Sequence, residues 1–164
     1  MTHVTIRAAR TTDIETLVDF NAAMALETES KTLDRAVLQG GVRAVFAEPR
    51  RGFYLVAEVD GCVAGCLLIT YEWSDWRNGD WWWLQSVYVA KAQRRHGVFR
   101  ALYAEVERRV AEREDVVGVR LYVERDNEHA QRTYTALGFD EDAYRMYTKP
   151  TRRDVRAALK PARS

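Results

Sequence analysis

Hydrophobic positions divide the chain into stretches of two periods. Val4, Ile6 and Ala8 alternate with polar neighbours over Val4 to Ala9, the pattern of a half-buried strand. Ile14, Leu17, Val18, Asn21, Ala22 and Ala25 then recur at helical spacing. Thr12-Asp13-Ile14-Glu15 ahead of them fits a capping box, with a hydroxyl at the helix start and a carboxylate three residues on. This helix should end near Glu27-Thr28-Glu29-Ser30. A second helix is predicted over Leu33 to Ala47, with Leu38, Val42, Val45 and Phe46 on one face and Glu48-Pro49 as its end. Gly40-Gly41 should break or kink it, because each glycine weakens a helix by roughly 1 kcal/mol.

Phe53 to Val59 and Cys62 to Tyr71 are apolar runs joined by Asp60-Gly61, a strong hairpin signal. A turn-rich loop, Ser74 to Asp80, leads into a fourth strand, Trp81 to Val89, which should pair with the third. Phe99, Leu102, Tyr103, Val106 and Val110 form one face of a third helix, with Glu105, Arg108, Arg109 and Glu112 opposite. A fifth strand is expected over Val117 to Val123. The long helix before it implies that it runs parallel to the fourth, through a right-handed crossover. Asp126-Asn127 should cap a fourth helix, Glu128 to Leu137; Gly138 should stop it, and Phe139 to Lys149 should form a last strand. The order is a strand, two helices, three antiparallel strands, helix, strand, helix, strand: a mixed α/β sheet in one domain.

The composition excludes several classes. The 164 residues are enough for one domain, 47% are apolar, 30% are charged, and the net charge is +1, so no bulk field argues for nucleic acid or membrane. Glu105, Glu107, Glu112 and Glu114 interrupt the arginines of the third helix, against a nucleic-acid face. No apolar run approaches the ~20 residues of a membrane span. No apolar leader follows Met1, and a cytoplasmic protein is expected. Cys62 and Cys66, four apart on a strand, would lie ~13 Å from each other, too far to bond. No further Cys or His clusters with them for a metal, and both read as small buried apolar residues. All five tryptophans fall between residues 73 and 83. In Trp81-Trp82-Trp83 the outer two face one side and Trp82 the other. Such rings line a pocket and stack on a cation, build a dimer face, or pack the sheet; the pattern leaves all three open.

The chemistry centres on Gln93-Arg94-Arg95-His96-Gly97-Val98-Phe99-Arg100-Ala101-Leu102. It follows the strand-like Val87-Tyr88-Val89 and runs into a helix start. Helix starts carry unpaired N–H groups and the positive dipole end, and arginines add formal charge, which together make a seat for phosphate. The phosphate loop of kinases, Gly-x-x-x-x-Gly-Lys-Ser/Thr, is absent. Downstream stands Asn127-Glu128-His129-Ala130-Gln131-Arg132-Thr133-Tyr134-Thr135-Ala136-Leu137-Gly138-Phe139.

This pair of segments resembles the acetyl-CoA site of the GNAT superfamily of N-acetyltransferases. In the family's Gln/Arg-x-x-Gly-x-Gly/Ala, Arg94 and Gly97 match, and Phe99 stands where the last small residue is usual. The second segment matches Asn-x-x-Ala-x-x-x-Tyr-x-x-x-Gly-Phe in full. The resemblance, closest to members that act on diamines and other small amines, implies a GNAT domain over 1–150; residues 151–164, rich in basic residues, read as a helical or loose tail outside it. The resemblance implies a mostly antiparallel sheet, flanked by helices and splayed between the fourth and fifth strands. Backbone groups around Val87, Tyr88 and Val89 would bond the pantetheine arm of acetyl-CoA or CoA. The turn of Arg94, Arg95, His96, Gly97, Val98, Phe99 and Arg100, with Asn127, would hold the rest of the cofactor. Tyr134 would serve the departing thiolate as acid. The implied reaction is direct attack by a small-molecule or peptide amine in a ternary complex, without metal or acyl-enzyme. Relatives that acetylate polyamines carry a glutamate where Gln85 stands, and Gln85 cannot act as a base. Glu72, Glu27 and Glu29 are the substitutes on the acceptor side, with Trp83 in the pocket. Exposed tryptophan and edge strands are what a homodimer would use. The rival reading is a non-catalytic CoA-binding sensor or structural protein of the same fold.

Overall fold

In the computed structural model, which describes residues 4–152, five strands form one sheet in sequence order. β1 (Val4–Ala8), β2 (Phe53–Val59), β3 (Cys62–Ser74) and β4 (Gly79–Val89) are antiparallel neighbours, and β5 (Val116–Arg120) runs parallel to β4. The mixed α/β sheet and the hairpin at Asp60-Gly61 are as the pattern predicts. The chain divides into two compact units, residues 1–122 and 123–164. The first holds the sheet with α1 (Ile14–Glu29), α2 (Arg35–Ala47) and α3 (Val98–Ala111); the second holds α4 (Glu128–Ala136). Among the described residues no helix is long and apolar enough to cross a membrane.

Strand alternation separates two cores. Tyr54, Val56 and Cys66 are buried with Ile14, Leu17 and Val18 of α1 and Val42 of α2. The intervening residues Leu55, Leu67, Ile69 and Leu84 are buried on the other face, together with Val98, Leu102 and Val106 of α3. Arg109 and Arg113, on and just past α3, cover the rings of Phe53 and Trp82. Cys66 is buried and Cys62 is exposed, so only one of the two cysteines is the apolar filler expected of both.

Three local expectations differ from the structure. Thr12 does not cap α1: residues 11–13 form a 3-10 turn, and Asp13 is the N-cap. Asp13 turns back instead, accepting from the Arg10 N–H at 2.6 Å and from Arg7. Gly40-Gly41 does not break α2, which is continuous from Arg35 to Ala47. Asp34 caps that helix by accepting from Ala36 N and Val37 N. Leu38, Val45 and Phe46 pack around the buried Val42. Burying a side chain of that kind gains about 1.5–3 kcal/mol, enough to offset the glycines. A Cβ added at Gly40 meets nothing within 4 Å. Gly40→Ala should therefore raise stability by about 0.5–1 kcal/mol through the unfolded chain's lost freedom. A urea midpoint that fails to rise would show that the glycine bends the helix usefully. Finally, residues 139–149 form no strand. Tyr144, Met146 and Tyr147 there are exposed, and strand propensity takes effect only through packing on a neighbour. Beyond Arg152 the expected basic tail lies outside the described residues.

Candidate functional site

The β4–β5 ladder is short. It pairs Asp80 with Val116, Trp81 with Gly118, Trp82 with Val119 and Trp83 with Arg120, and stops there. β4 continues to Val89. From Leu84 onward, its edge on the β5 side has no strand partner among the described residues. That is the expected opening between the fourth and fifth strands. On the β3 side, Leu68 pairs with Gln85 and Cys66 with Tyr88, so β4 carries an extra residue. The bulge centres on Ser86, at φ +48°, and its carbonyl accepts the Cys66 thiol at 3.7 Å. Burial pushes that thiol up to about 12, so it stays protonated and inert. A bulge shifts the alternation of everything after it. Tyr88, not Val87, shares the α1 face, where its ring meets Phe20 at 5.0 Å between centroids.

β4 runs into the basic turn. Arg95 and Gly97 both take positive φ, +66° and +78°. Gly97 is the N-cap of α3, with no side chain capping it. The first bond into the helix is Ala101 N–H to the Gly97 carbonyl, 3.0 Å. The N–H groups before it have no carbonyl of their own helix to bond. A Cβ at Gly97 would find open space but a backbone that disfavours it. Val98 is buried in the core. Phe99, the departure from the family pattern, is half-buried with its ring on Tyr103, 6.4 Å between centroids. Arg95, His96 and Arg100 are exposed.

Arg94 does something the motif does not announce. Its guanidinium donates to Glu27 at 2.6 Å and to the Val89 carbonyl at 2.9 Å, and lies over the Tyr88 ring. Tyr88 donates its hydroxyl to the same carboxylate at 3.0 Å, and Lys91 stands 3.6 Å away. The Arg94 guanidinium, joined by the Tyr88 hydroxyl, holds Glu27 below the usual carboxylate range. An ionised carboxylate so stabilised is a weak base. Glu29 pairs with Lys31.

On the α1 face of the sheet, beyond that helix packing, lie Trp81, Trp83 and Gln85 of β4 beside Glu72 and Thr70 of β3. Gln85 donates to the Thr70 hydroxyl at 2.6 Å. Glu72 accepts from the Trp83 indole and from Arg120 at 3.0 Å. Thus Glu72, Trp83 and Gln85 share one face, while Glu27 belongs to the α1–turn network. Sequence reading missed Arg120. A lone arginine among Val116, Val117, Val119 and Leu121 was the available signal.

In the second unit, Asn127 accepts from Ala130 N–H at 3.1 Å and so caps α4. Its side chain is occupied as a cap there. At the other end, Phe139 N–H donates to the Tyr134 carbonyl and Gly138 N–H to that of Thr135, with Gly138 at φ +86°. This is a Schellman stop, which brings the third-last helical residue against the one after the glycine. The Tyr134 and Phe139 rings meet edge-on at 5.9 Å. The segment from Asn127 to Phe139 is thus a helix with both ends built in. Burial raises the Tyr134 phenol, which is protonated at neutral pH.

Residues 17–139 match the model of the acetyltransferase (GNAT) family. No curated protein sequence matches the chain. Among solved structures, a possible acetyltransferase from Clostridium difficile 630 is 43% identical, with a TM-score of 0.87 over 92% of this chain and 99% of that one. At fold level the chain also resembles the ribosomal-protein-alanine N-acetyltransferase from Brucella melitensis biovar Abortus 2308, with 18% identity and a TM-score of 0.72, covering 90% of this chain and 99% of that one. The aminoglycoside N-acetyltransferase AAC(6')-Iy, solved with CoA, is 17% identical with a TM-score of 0.73, over 92% and 97%.

Proposed function

Because the chain belongs to the acetyltransferase (GNAT) family, whose donor is acetyl-CoA, we propose that it moves the acetyl group to a primary amine of a small molecule or peptide by direct attack in a ternary complex. The observation that carries the reading is the edge of β4 beyond Trp83, which has no strand partner among the described residues and leads directly into the Gly97 turn. The first suits an extended amide arm, which bonds a strand edge as another strand would. The second suits a pyrophosphate, through helix N–H groups and the basic side chains Arg95, His96 and Arg100. Arg94 takes part indirectly, by holding the turn to Glu27.

Acetyl-CoA supplies the thioester: the amine nitrogen bonds to its carbonyl carbon, the C–S bond breaks, and sulfur leaves as a thiolate that takes up a proton. Tyr134, at the motif's tyrosine position, is assigned as the group that meets that charge. The amine must first lose its own proton. Gln85 has no basic group, and the Glu27 and Glu72 carboxylates are each held by an arginine. Water therefore accepts that proton in this mechanism.

The test is thiol release from acetyl-CoA against amino acids, peptides, aminoglycosides and polyamines, with CoA affinity measured by calorimetry. Acceptor-dependent release is expected, and Gly97→Val should weaken CoA binding tenfold or more, roughly 1.4 kcal/mol. Tight CoA binding with no release for any acceptor would instead support a non-catalytic CoA binder. Normal affinity in Gly97→Val would move the pyrophosphate elsewhere.

A further inference from the structure

The acceptor face is not acidic, despite the carboxylates on and beside it. Glu72 is matched by Arg120, Glu27 by Arg94 and Lys91, and Glu29 by Lys31. A polyamine or aminoglycoside would bring several positive charges to a surface whose anions are already neutralised. Arg120, by contrast, is built into place. Its strand partner is Trp83, on the last rung of the β4–β5 ladder, where the strands part. Its guanidinium lies 3.9 Å from the centroid of the Trp81 ring. Trp81 in turn rests on Gly118: a Cβ there would stand 2.6 Å from the ring. One guanidinium nitrogen, Nη1, donates to Glu72. Arginine carries five N–H donors in a planar fork, and this contact uses one edge of it. Trp83 and Tyr122, with ring centroids 5.9 Å apart, add an apolar wall beside it.

We propose that Arg120, stacked on Trp81 and gripped by Glu72, reads a carboxylate on the acceptor, so that the amine acetylated here belongs to an amino acid with an apolar side chain. The proposal rests on amine acetylation as inferred above and narrows it. The fork of an oriented arginine pairs with a carboxylate through two parallel hydrogen bonds, a fit that ammonium-only ligands do not offer.

The test separates acceptor recognition from turnover. CoA-saturated protein is titrated with two pairs differing only in the carboxylate, L-phenylalanine with 2-phenylethylamine and L-leucine with isoamylamine, and read by tryptophan fluorescence. The amino acid should bind tenfold or more tightly than its amine in both pairs. Arg120→Gln should bring each ratio to about one, and Arg120→Lys should leave it in between. Gly118→Val, which pushes the Trp81 ring away, should also erode it without touching the charge. CoA affinity, measured alongside, reports that each variant is folded. Equal binding within a pair, binding of the amines alone, or binding of none of the four overturns the carboxylate site. If the ratio holds but no thiol is released from acetyl-CoA, the carboxylate site stands and the acetyl-transfer reading falls.

Discussion

Tyr134→Phe is expected to lower kcat by about a hundredfold or more, the usual range for loss of a positioned acid, while leaving CoA affinity unchanged. The substitution keeps the ring packing at the end of α4. The phenyl ring keeps the edge-on contact with Phe139 that closes α4, and the stop itself is made by backbone bonds. What is lost is the hydroxyl. Burial raises that phenol above its ordinary value, near 10, whereas a thiol sits near 8.5. Complete proton transfer to the thiolate is therefore uphill. The hydroxyl acts chiefly as a hydrogen-bond donor to sulfur while the C–S bond breaks. The sign for pH follows: burial raises the phenol, so the donor stays protonated and no loss of rate from this group is expected at neutral pH. Unchanged kcat in the variant would remove Tyr134 from the chemistry and leave it as the anchor of a helix end.

Local signals in the sequence carried far. Alternation placed Trp81 and Trp83 on one face and Trp82 on the other, and Trp82 is indeed packed against Phe53 and Tyr71. The Asn127 cap and the Gly138 stop were both readable, because each is a contact between residues within one helix. What stayed hidden are contacts across the chain. Arg94 looks like a phosphate ligand in its motif, but its partner Glu27 lies 67 residues away. Arg120 and Glu72 are 48 apart. The bulge at Ser86 was invisible too, since one residue of strand slippage leaves no mark on composition, yet it decides that Tyr88 faces α1. The glycine pair in α2 misled in the opposite direction. Propensity is a local cost, and a helix with Val42 buried on the sheet tolerates it.

Arg7→Met should destabilise the protein by about 3–5 kcal/mol, the cost of stripping a buried charge of its partner. Arg7 on β1 donates to both oxygens of Asp13, at 2.7 and 3.0 Å, and to Glu58 on β2 at 2.8 Å. Asp13 is 6% exposed. Its other partner is the Arg10 N–H, so the turn entering α1 is fastened to the sheet through this one guanidinium. The pH dependence distinguishes this loss from simple repacking. With Arg7 present, the hydrogen bonds from that guanidinium, opposed by burial, hold the Asp13 carboxyl below its ordinary value. Its contribution is present above the unfolded value of about 3.9 and is lost as pH falls through the lower, folded one. Without Arg7, burial is opposed only by the Arg10 hydrogen bond and charge, so the carboxyl is pushed up relative to the intact protein and protonation costs the folded state less. The deficit of Arg7→Met should therefore be largest at neutral pH and shrink on acidification towards pH ~4. Urea unfolding of both proteins at pH 7 and pH 4.5 reads this directly. A deficit below about 1 kcal/mol at pH 7, the value of an exposed pair, or one independent of pH, would show that Asp13 is solvated and that α1 is held to the sheet by its apolar face alone. The double variant Arg7→Met/Asp13→Leu, which removes the buried carboxylate and leaves only the part-exposed Glu58 without its arginine, should recover part of the loss.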